Sequence, residues 1–378
     1  MGKFISFIAL VVVVAGVAVM SPAQSSPAQS STASPSKPLR VAVAGLVHGH
    51  VEGFLGSALK RSDIQIVGIA EADQQLAQRY AGEFHLDPQL LYRDVEQMLA
   101  KAQPQAVLVY SDTRDHRRIV EVAARHRIPV MMEKPLAVSV KDALAIQQAA
   151  NEARIPVLVN YETTWYASNA AVYGLVREGA LGEVRKVVIH DGHQGPKEIG
   201  VPPEFLSWLT DPERNGGGAL FDFGCYGADL MTWLMQGAAP LTVTAVTQQL
   251  KPEVYRHVDD EATVILTYPR AQAIIQASWN WPFGRKDMEV YGETGQAITV
   301  LRDDIRVRRK EEDQEQQQHA PALTPPYNDS ISYLIAVVSG EVTPTGLSAL
   351  DTNVTVVRIL DAARESARTG RTIQLADH

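Results

Sequence analysis

Between residues 38 and 159 short apolar runs alternate with amphipathic stretches, and no other feature of this chain restricts its fold so tightly. The runs at 39–44, 64–70, 106–110, 129–132 and 156–159 have strand length, and the stretches at 50–61, 74–84, 95–101, 116–126 and 140–153 carry helical periodicity. Such alternation predicts a doubly wound parallel sheet with helices on both faces, an α/β Rossmann arrangement. From Asn160 the pattern changes. A helix over 169–178 precedes longer runs at 184–190, 241–251, 262–268, 273–279, 286–292 and 297–301, which predict an α+β domain with a large, open, mostly antiparallel sheet. The segment 302–310 alternates basic and apolar residues as a solvated edge strand does. An amphipathic helix over about 350–369 stops at Gly370. The expected organisation is thus 38–159, 160–349, and a C-terminal helix and tail at 350–378 that pack back between the two.

The first 37 residues stand apart. Lys3 precedes an apolar run over 4–20 and then Ser21-Pro22-Ala23, which predicts a signal peptide over 1–23 and a mature start near Gln24. The alternative keeps 4–20 as an uncleaved membrane anchor. Both place the rest of the chain outside the cytoplasm, in an exported and periplasmic setting. Residues 24–37, rich in Ser, Pro, Ala and Gln, are too poor in large apolar side chains to pack and read as a disordered linker. A formal net charge of −8 argues against nucleic-acid binding, and the single Cys225 excludes an intramolecular disulfide.

Several residues sit where a nucleotide domain does its chemistry. Ligands of open α/β sheets bind beyond the carboxyl ends of the strands. The run ending at Met132 delivers Glu133-Lys134-Pro135 to that edge, so the Lys134 ammonium can point at a cofactor and substrate. The first strand runs into Gly45-Leu46-Val47-His48-Gly49-His50, a dinucleotide fingerprint in which Val47 replaces the second glycine, Gly49 is displaced and His50 takes the third place. A helix starting near His50 still offers its amides to a phosphate. Glu71 ends the second strand, where a carboxylate would accept from both ribose hydroxyls and repel a 2′-phosphate. That favours NAD, with NADP as the alternative, and Asp73 is the alternative ribose ligand. His48 and His50 lack a neighbouring cysteine or carboxylate cluster in sequence, so no metal site is assigned. Asn160, Tyr161, Thr164 and Trp165 follow the last strand of the sheet; their amide, hydroxyls and flat ring suit a polyol or pyranose.

Taken in order along the chain, these features resemble the Gfo/Idh/MocA oxidoreductases. The resemblance runs from Leu39 to the C-terminus and rests on Glu133-Lys134-Pro135, on His116 in the segment Ser111 to His116, on the glycine-rich Asp222 to Asp229, on Asp260-Glu261-Ala262-Thr263 and on the tail from Asp361 to Ser366. It implies that Ser111, His116 and Glu133 contact the cofactor. It also implies that Lys134 lies beside a nicotinamide and faces an acid and a partner four residues on, here Asp222 and Tyr226. The family's commoner residue at that second place is histidine; the glucose-fructose oxidoreductase and dihydrodiol dehydrogenase relatives carry tyrosine. If Asp222 and Tyr226 share a helix, both face one way. The expected chemistry has Lys134 bond the reacting oxygen and depress the phenol's proton affinity, Tyr226 exchange the proton, Asp222 orient lysine or substrate, and Asp229 position Tyr226. The implied activity is NAD(P)-dependent hydride transfer on a secondary alcohol of a sugar, sugar derivative or cyclitol, in a homo-oligomer. Two alternatives stand beside it: redox-neutral glycoside hydrolysis with tightly held NAD, and a non-catalytic sensor.

Overall fold

In the computed structural model, residues 37–375 are described. The expected signal peptide and nearly all of the linker lie outside them. Six strands, β1 (Leu39–Ala44), β2 (Ile64–Ala70), β3 (Leu91–Tyr92), β4 (Ala106–Val109), β5 (Val130–Glu133) and β6 (Val157–Asn160), form a parallel sheet in the order β3-β2-β1-β4-β5-β6. The order reverses between β1 and β4, which places a crevice at their carboxyl ends. Between the strands run α1 (His50–Ala58), α2 (Gln74–Glu83), α3 (Val95–Ala102), α4 (His116–Arg125) and α5 (Val140–Ala153). The strands read as continuous apolar runs because both faces are covered. Val41 and Val43 join one core cluster with Phe54, Leu76 and Tyr80, while Ala42 and Ala44 join another with Met98, Ile119 and Ile146.

The chain then forms α6 (Ala167–Arg177), β7 (Val184–Gly192), α7 (Pro203–Leu209), α8 (Pro212–Asn215), α9 (Ala219–Asp222) and α10 (Gly224–Leu234). Next come β8 (Thr242–Gln248), β9 (Glu261–Thr267), β10 (Gln272–Ser278), β11 (Arg285–Gly292), β12 (Gly295–Thr299), β13 (Asp304–Arg309), β14 (Gln316–His319), α11 (Ser330–Val338), α12 (Leu350–Thr369) and β15 (Ile373–Gln374). The second sheet has nine strands, β14-β13-β12-β11-β7-β10-β9-β8-β15, antiparallel except for the β7–β10 pair. Helix α12 packs against α10 and β8 of this half and α5 and β6 of the first, and ends at Gly370 with φ +68°. Among the described residues no helix is long and apolar enough to cross a membrane.

Three helices are not legible in the sequence. The short α7 and α8 lie in a Pro- and Gly-punctuated segment without long periodicity. Helix α11, capped by the Asp329 carboxylate accepting from the amides of Ile331 and Ser332, sends Ile331, Leu334 and Val337 into the core cluster under β1.

Candidate active site

The β1 turn is shaped by close packing. Gly45 has φ +87°, and a Cβ there would stand 2.7 Å from the Ser111 Cα, so only glycine fits. Glu71 reaches back under this turn, one oxygen accepting from the Leu46 amide at 2.8 Å and the other from the Asp73 amide at 2.9 Å. Burial raises its proton affinity, and these amides oppose that. Asp73, the alternative ribose ligand, instead caps α2 by accepting from the amides of Gln75 and Leu76. Helix α1 follows Gly49, which offers no side-chain cap; its first two amides, those of His50 and Val51, are given to His48 Nδ1 and to the His48 carbonyl. Glu71 at the carboxyl end of β2 is placed for the ribose of a dinucleotide.

Folding brings to His48 and His50 the carboxylate that their sequence neighbourhood lacks: ligand atoms of His48, His50 and Glu133 lie within 4.8 Å of one another. The hydrogen bonding is that of a network rather than of a metal cage. His50 Nδ1 meets Glu133 Oε2 at 3.0 Å, and the His50 amide donates to His48 Nδ1 at 3.2 Å. In neutral His48 the proton therefore sits on Nε2, which has no protein partner and is a donor, not a free lone pair. Burial keeps His48 neutral by lowering its proton affinity. Glu133 Oε1 accepts from Asn160 Nδ2, and Asn160 Oδ1 from Trp165 Nε1, each at 3.0 Å. Burial alone would raise Glu133; the charge and hydrogen bond of His50 outweigh it and hold the carboxyl at about 2. His116 is buried, with Nδ1 3.1 Å from the Pro135 carbonyl, so it braces the chain just after Lys134. The Ser111 hydroxyl is spent on the Asp112 carbonyl.

At the end of β5, Lys134 Nζ donates to Asp222 Oδ1 at 2.5 Å and to the Asp222 carbonyl at 3.0 Å, and Trp279 Nε1 donates to Asp222 Oδ2 at 3.0 Å. Both ionised groups are 5 % exposed. Burial disfavours the ammonium, but Asp222 more than offsets this and pushes Lys134 up to about 12. Asp222 and Tyr226 do not share one helix: the backbone breaks at Phe223 between α9 and α10. The start of α9 is fixed by Gly218, where a Cβ would lie 1.8 Å from the Asp259 carbonyl oxygen, and by Asp259, whose carboxylate accepts from the Gly218 and Leu220 amides. Tyr226 nevertheless reaches the cluster, its ring centroid 5.1 Å from Lys134 Nζ. Burial pushes its phenol well above the ordinary value, the reverse of the lowering expected from Lys134. Asp229 is fully buried with neither carboxylate oxygen bonded, so it does not hold Tyr226 by a hydrogen bond.

The four residues read as the substrate wall separate. Tyr161 is 0 % exposed, edge-on to Tyr226, its hydroxyl given to Asn353 Oδ1 at 3.0 Å. Asn160 joins the Glu133 network, and Thr164 and Trp165 line a different cavity, to which none of Lys134, Asp222 and Tyr226 contributes. Other groups close on Tyr226 instead. Lys286 Nζ lies 4.6 Å from its ring centroid and donates to Glu162 Oε2 at 2.6 Å; Tyr166 donates to Glu162 Oε1 at 2.7 Å. Glu162, His193 and Lys286 line a cavity of about 640 Å³. Asp191, cross-strand from Lys286, is buried with both oxygens unbonded, and burial raises its proton affinity. A signal for these residues existed. Lys286 alternates with buried Met288 and Val290, and Asp191 with buried Val187 and Ile189, so each is a charge on the inward face of its strand.

Helices α7 and α8 lie across the carboxyl edge of the first sheet. Phe205 and Trp208 pack on His48 at 4.7 and 5.6 Å, and Trp208 Nε1 donates to the Val47 carbonyl at 3.0 Å. Glu204 pairs with Arg79 of α2, and Arg214 Nε donates to Asp112 Oδ2 at 2.6 Å.

Residues 39–161 match the model of the oxidoreductase family with an NAD-binding Rossmann fold, and 170–298 match that of the GFO/IDH/MocA C-terminal domain. D-apiose dehydrogenase of Rhizobium rhizogenes is 24 % identical over 335 residues, 82 % of this chain and 90 % of that protein. Inositol 2-dehydrogenase of Rhizobium meliloti is 23 % identical over 341 residues, 86 % and 95 % of the two chains. Among solved structures, the aldose-aldose oxidoreductase from Caulobacter crescentus superposes with a TM-score of 0.75 at 23 % identity, over 89 % of this chain and all of that one. An inositol dehydrogenase homologue complexed with NAD+ from Azotobacter vinelandii gives 0.76 at 19 % identity, over 90 % and 98 %. The chain belongs to the GFO/IDH/MocA oxidoreductases, as an NAD-binding Rossmann domain joined to that family's C-terminal domain.

Proposed function

We propose that this protein transfers hydride between NAD and a secondary alcohol of a sugar, sugar derivative or cyclitol, outside the cytoplasm. The observation that carries the reading is the buried Lys134–Asp222–Trp279 cluster at the end of β5, with the Tyr226 ring beside it. NAD supplies the hydride acceptor or donor. Asp222 orients the Lys134 ammonium and keeps it charged; Lys134 hydrogen-bonds the reacting oxygen. Tyr226, held protonated by burial, is suited to donate its proton to a carbonyl oxygen as hydride arrives, and the phenolate so formed is the base that takes the alcohol proton in the reverse direction. The names of the relatives, an apiose and an inositol dehydrogenase and an aldose-aldose oxidoreductase, support the substrate class. Export rests on the apolar run and small residues of the first 23 positions.

The cover of α7 and α8 over the cofactor edge favours a second reading, redox-neutral glycoside cleavage with a retained nucleotide. A retained cofactor also suits an enzyme that works outside the cytoplasm. The test is to purify the exported protein, denature it, identify any released nucleotide by mass spectrometry, and assay NADH formation with sugars and polyols. Stoichiometric nucleotide without net NADH formation would select the redox-neutral cycle. Lys134→Ala should abolish turnover while nucleotide stays bound; unchanged turnover would remove Lys134 from the mechanism.

A further inference from the structure

A cavity of about 850 Å³ has no part in the chemistry above. It lies beside α6, the end of α10, the segment before α11 and the turn at Gly346. Two aromatic groups line it. Tyr173 and Trp233 stack at 3.9 Å with their planes 13° apart. Trp165, Tyr333 and Tyr327 form a chain of tilted rings at 5.7 and 5.9 Å. Gly346 has φ +72°, and a Cβ on it would stand 3.1 Å from Trp233 Nε1, so the glycine lets this turn approach the indole.

Polar side chains stand between the rings. Gln236 adds an amide, and Arg177 adds a guanidinium that makes no ion pair among the described residues. No carboxylate lines the cavity, which removes the counter-charge that a cationic ligand would need.

We propose that this cavity is a second saccharide site, separate from the redox centre, which takes a neutral carbohydrate about two rings long. Flat aromatic faces meet the C–H faces of pyranose rings, and the Gln236 amide and Arg177 guanidinium meet their hydroxyl edges. A volume in the upper part of the range for small-molecule sites, about 300–1,000 Å³, accommodates more than one ring. The site adjoins the redox centre through Trp165, whose indole donates to Asn160, the partner of Glu133. The inference does not depend on the redox reading, since it concerns binding at residues outside the catalytic cluster.

The test is saturation-transfer NMR and calorimetry with cellobiose, maltose and lactose on the full chain carrying Lys134→Ala, so that turnover cannot intervene. Tyr327→Ala removes a half-exposed ring, and Arg177→Ala removes the guanidinium at the cavity. Binding of at least one disaccharide, weakened about tenfold or more by Tyr327→Ala and measurably by Arg177→Ala while the melting temperature holds, is the expected result. Binding that survives both substitutions would belong to the redox centre and overturn the proposal. Absence of binding by all three sugars, or a particle whose cavity is covered by a second copy in solution, would overturn it equally. Failure of the redox reading would appear separately, as an absence of nucleotide and of NADH formation.

Discussion

Lys286 is the side chain whose position most changes the picture of the reaction. Lys134 is committed to Asp222, whereas Lys286 stands nearer the Tyr226 ring and opens onto the cavity that Glu162 and His193 share. A positive group beside a reacting oxygen contributes most where water is excluded. Lys286→Met should lower kcat by about 10²-fold with nucleotide content unchanged; a rate within about twofold of wild type would confine Lys286 to structure. Asp229 makes the opposite case, a buried charge with no counterpart. Its folded proton affinity is raised by burial, so the fold favours the protonated form and stability falls as pH rises above the unfolded carboxyl value of about 4. Asp229→Asn should therefore stabilise the fold near pH 7 by about 1 kcal/mol or more, seen as a higher melting temperature, with the gain growing towards pH 8 and vanishing near pH 4. His48 and His116, lowered by burial, destabilise both proteins alike below about pH 6.5 and cancel in the comparison. A gain independent of pH would mean that Asp229 is not protonated in the fold.

At the scale of elements, the first sheet was legible because its strands and helices differ in period. The route that brings Asp222 to Lys134 was visible only through resemblance. Nothing local in residues 203–215 announces that two short helices return across β1, β2 and β4; that depends on partners far along the chain, Arg79, His48 and Asp112. The same holds for Tyr161, whose hydroxyl suits a sugar by residue type but donates to Asn353 of α12. If α7 and α8 retain the nucleotide, loosening both ends should release it. Glu204→Ala with Arg214→Ala removes two ion pairs, each worth up to about 1 kcal/mol, and should cut nucleotide retention several-fold, at most about 30-fold. Nucleotide content measured after prolonged dialysis decides it: retention equal to wild type would mean that the cover does not hold the cofactor.

For the molecule as a whole, the second sheet presents an argument for assembly. Its inner face is buried by α10 and α12, among others, while Val188, Ile265, Ile274 and Ile298 lie half-buried on the other face. The ladder places Ile265 opposite Ile274, Ile274 opposite Val188, Val188 opposite Glu289, and Glu289 opposite Ile298. This is an apolar row crossing five strands, interrupted once. The row beside it, Thr263, Gln276, His190 and Asp287, is polar. An apolar centre with a polar margin is the usual anatomy of a subunit interface, and a stable one buries about 1,200–2,000 Å² in total. We therefore propose that the sheet face joins subunits, which would leave the catalytic edge and the aromatic cavity of each chain to work independently of the contact. Light scattering on the eluting protein should give a multiple of the chain mass. Ile274→Glu, a change on the outer face alone, should give the single-chain mass with secondary structure intact. A wild-type protein that already elutes as a single chain, or a variant that assembles as wild type does, would place the interface elsewhere or remove it.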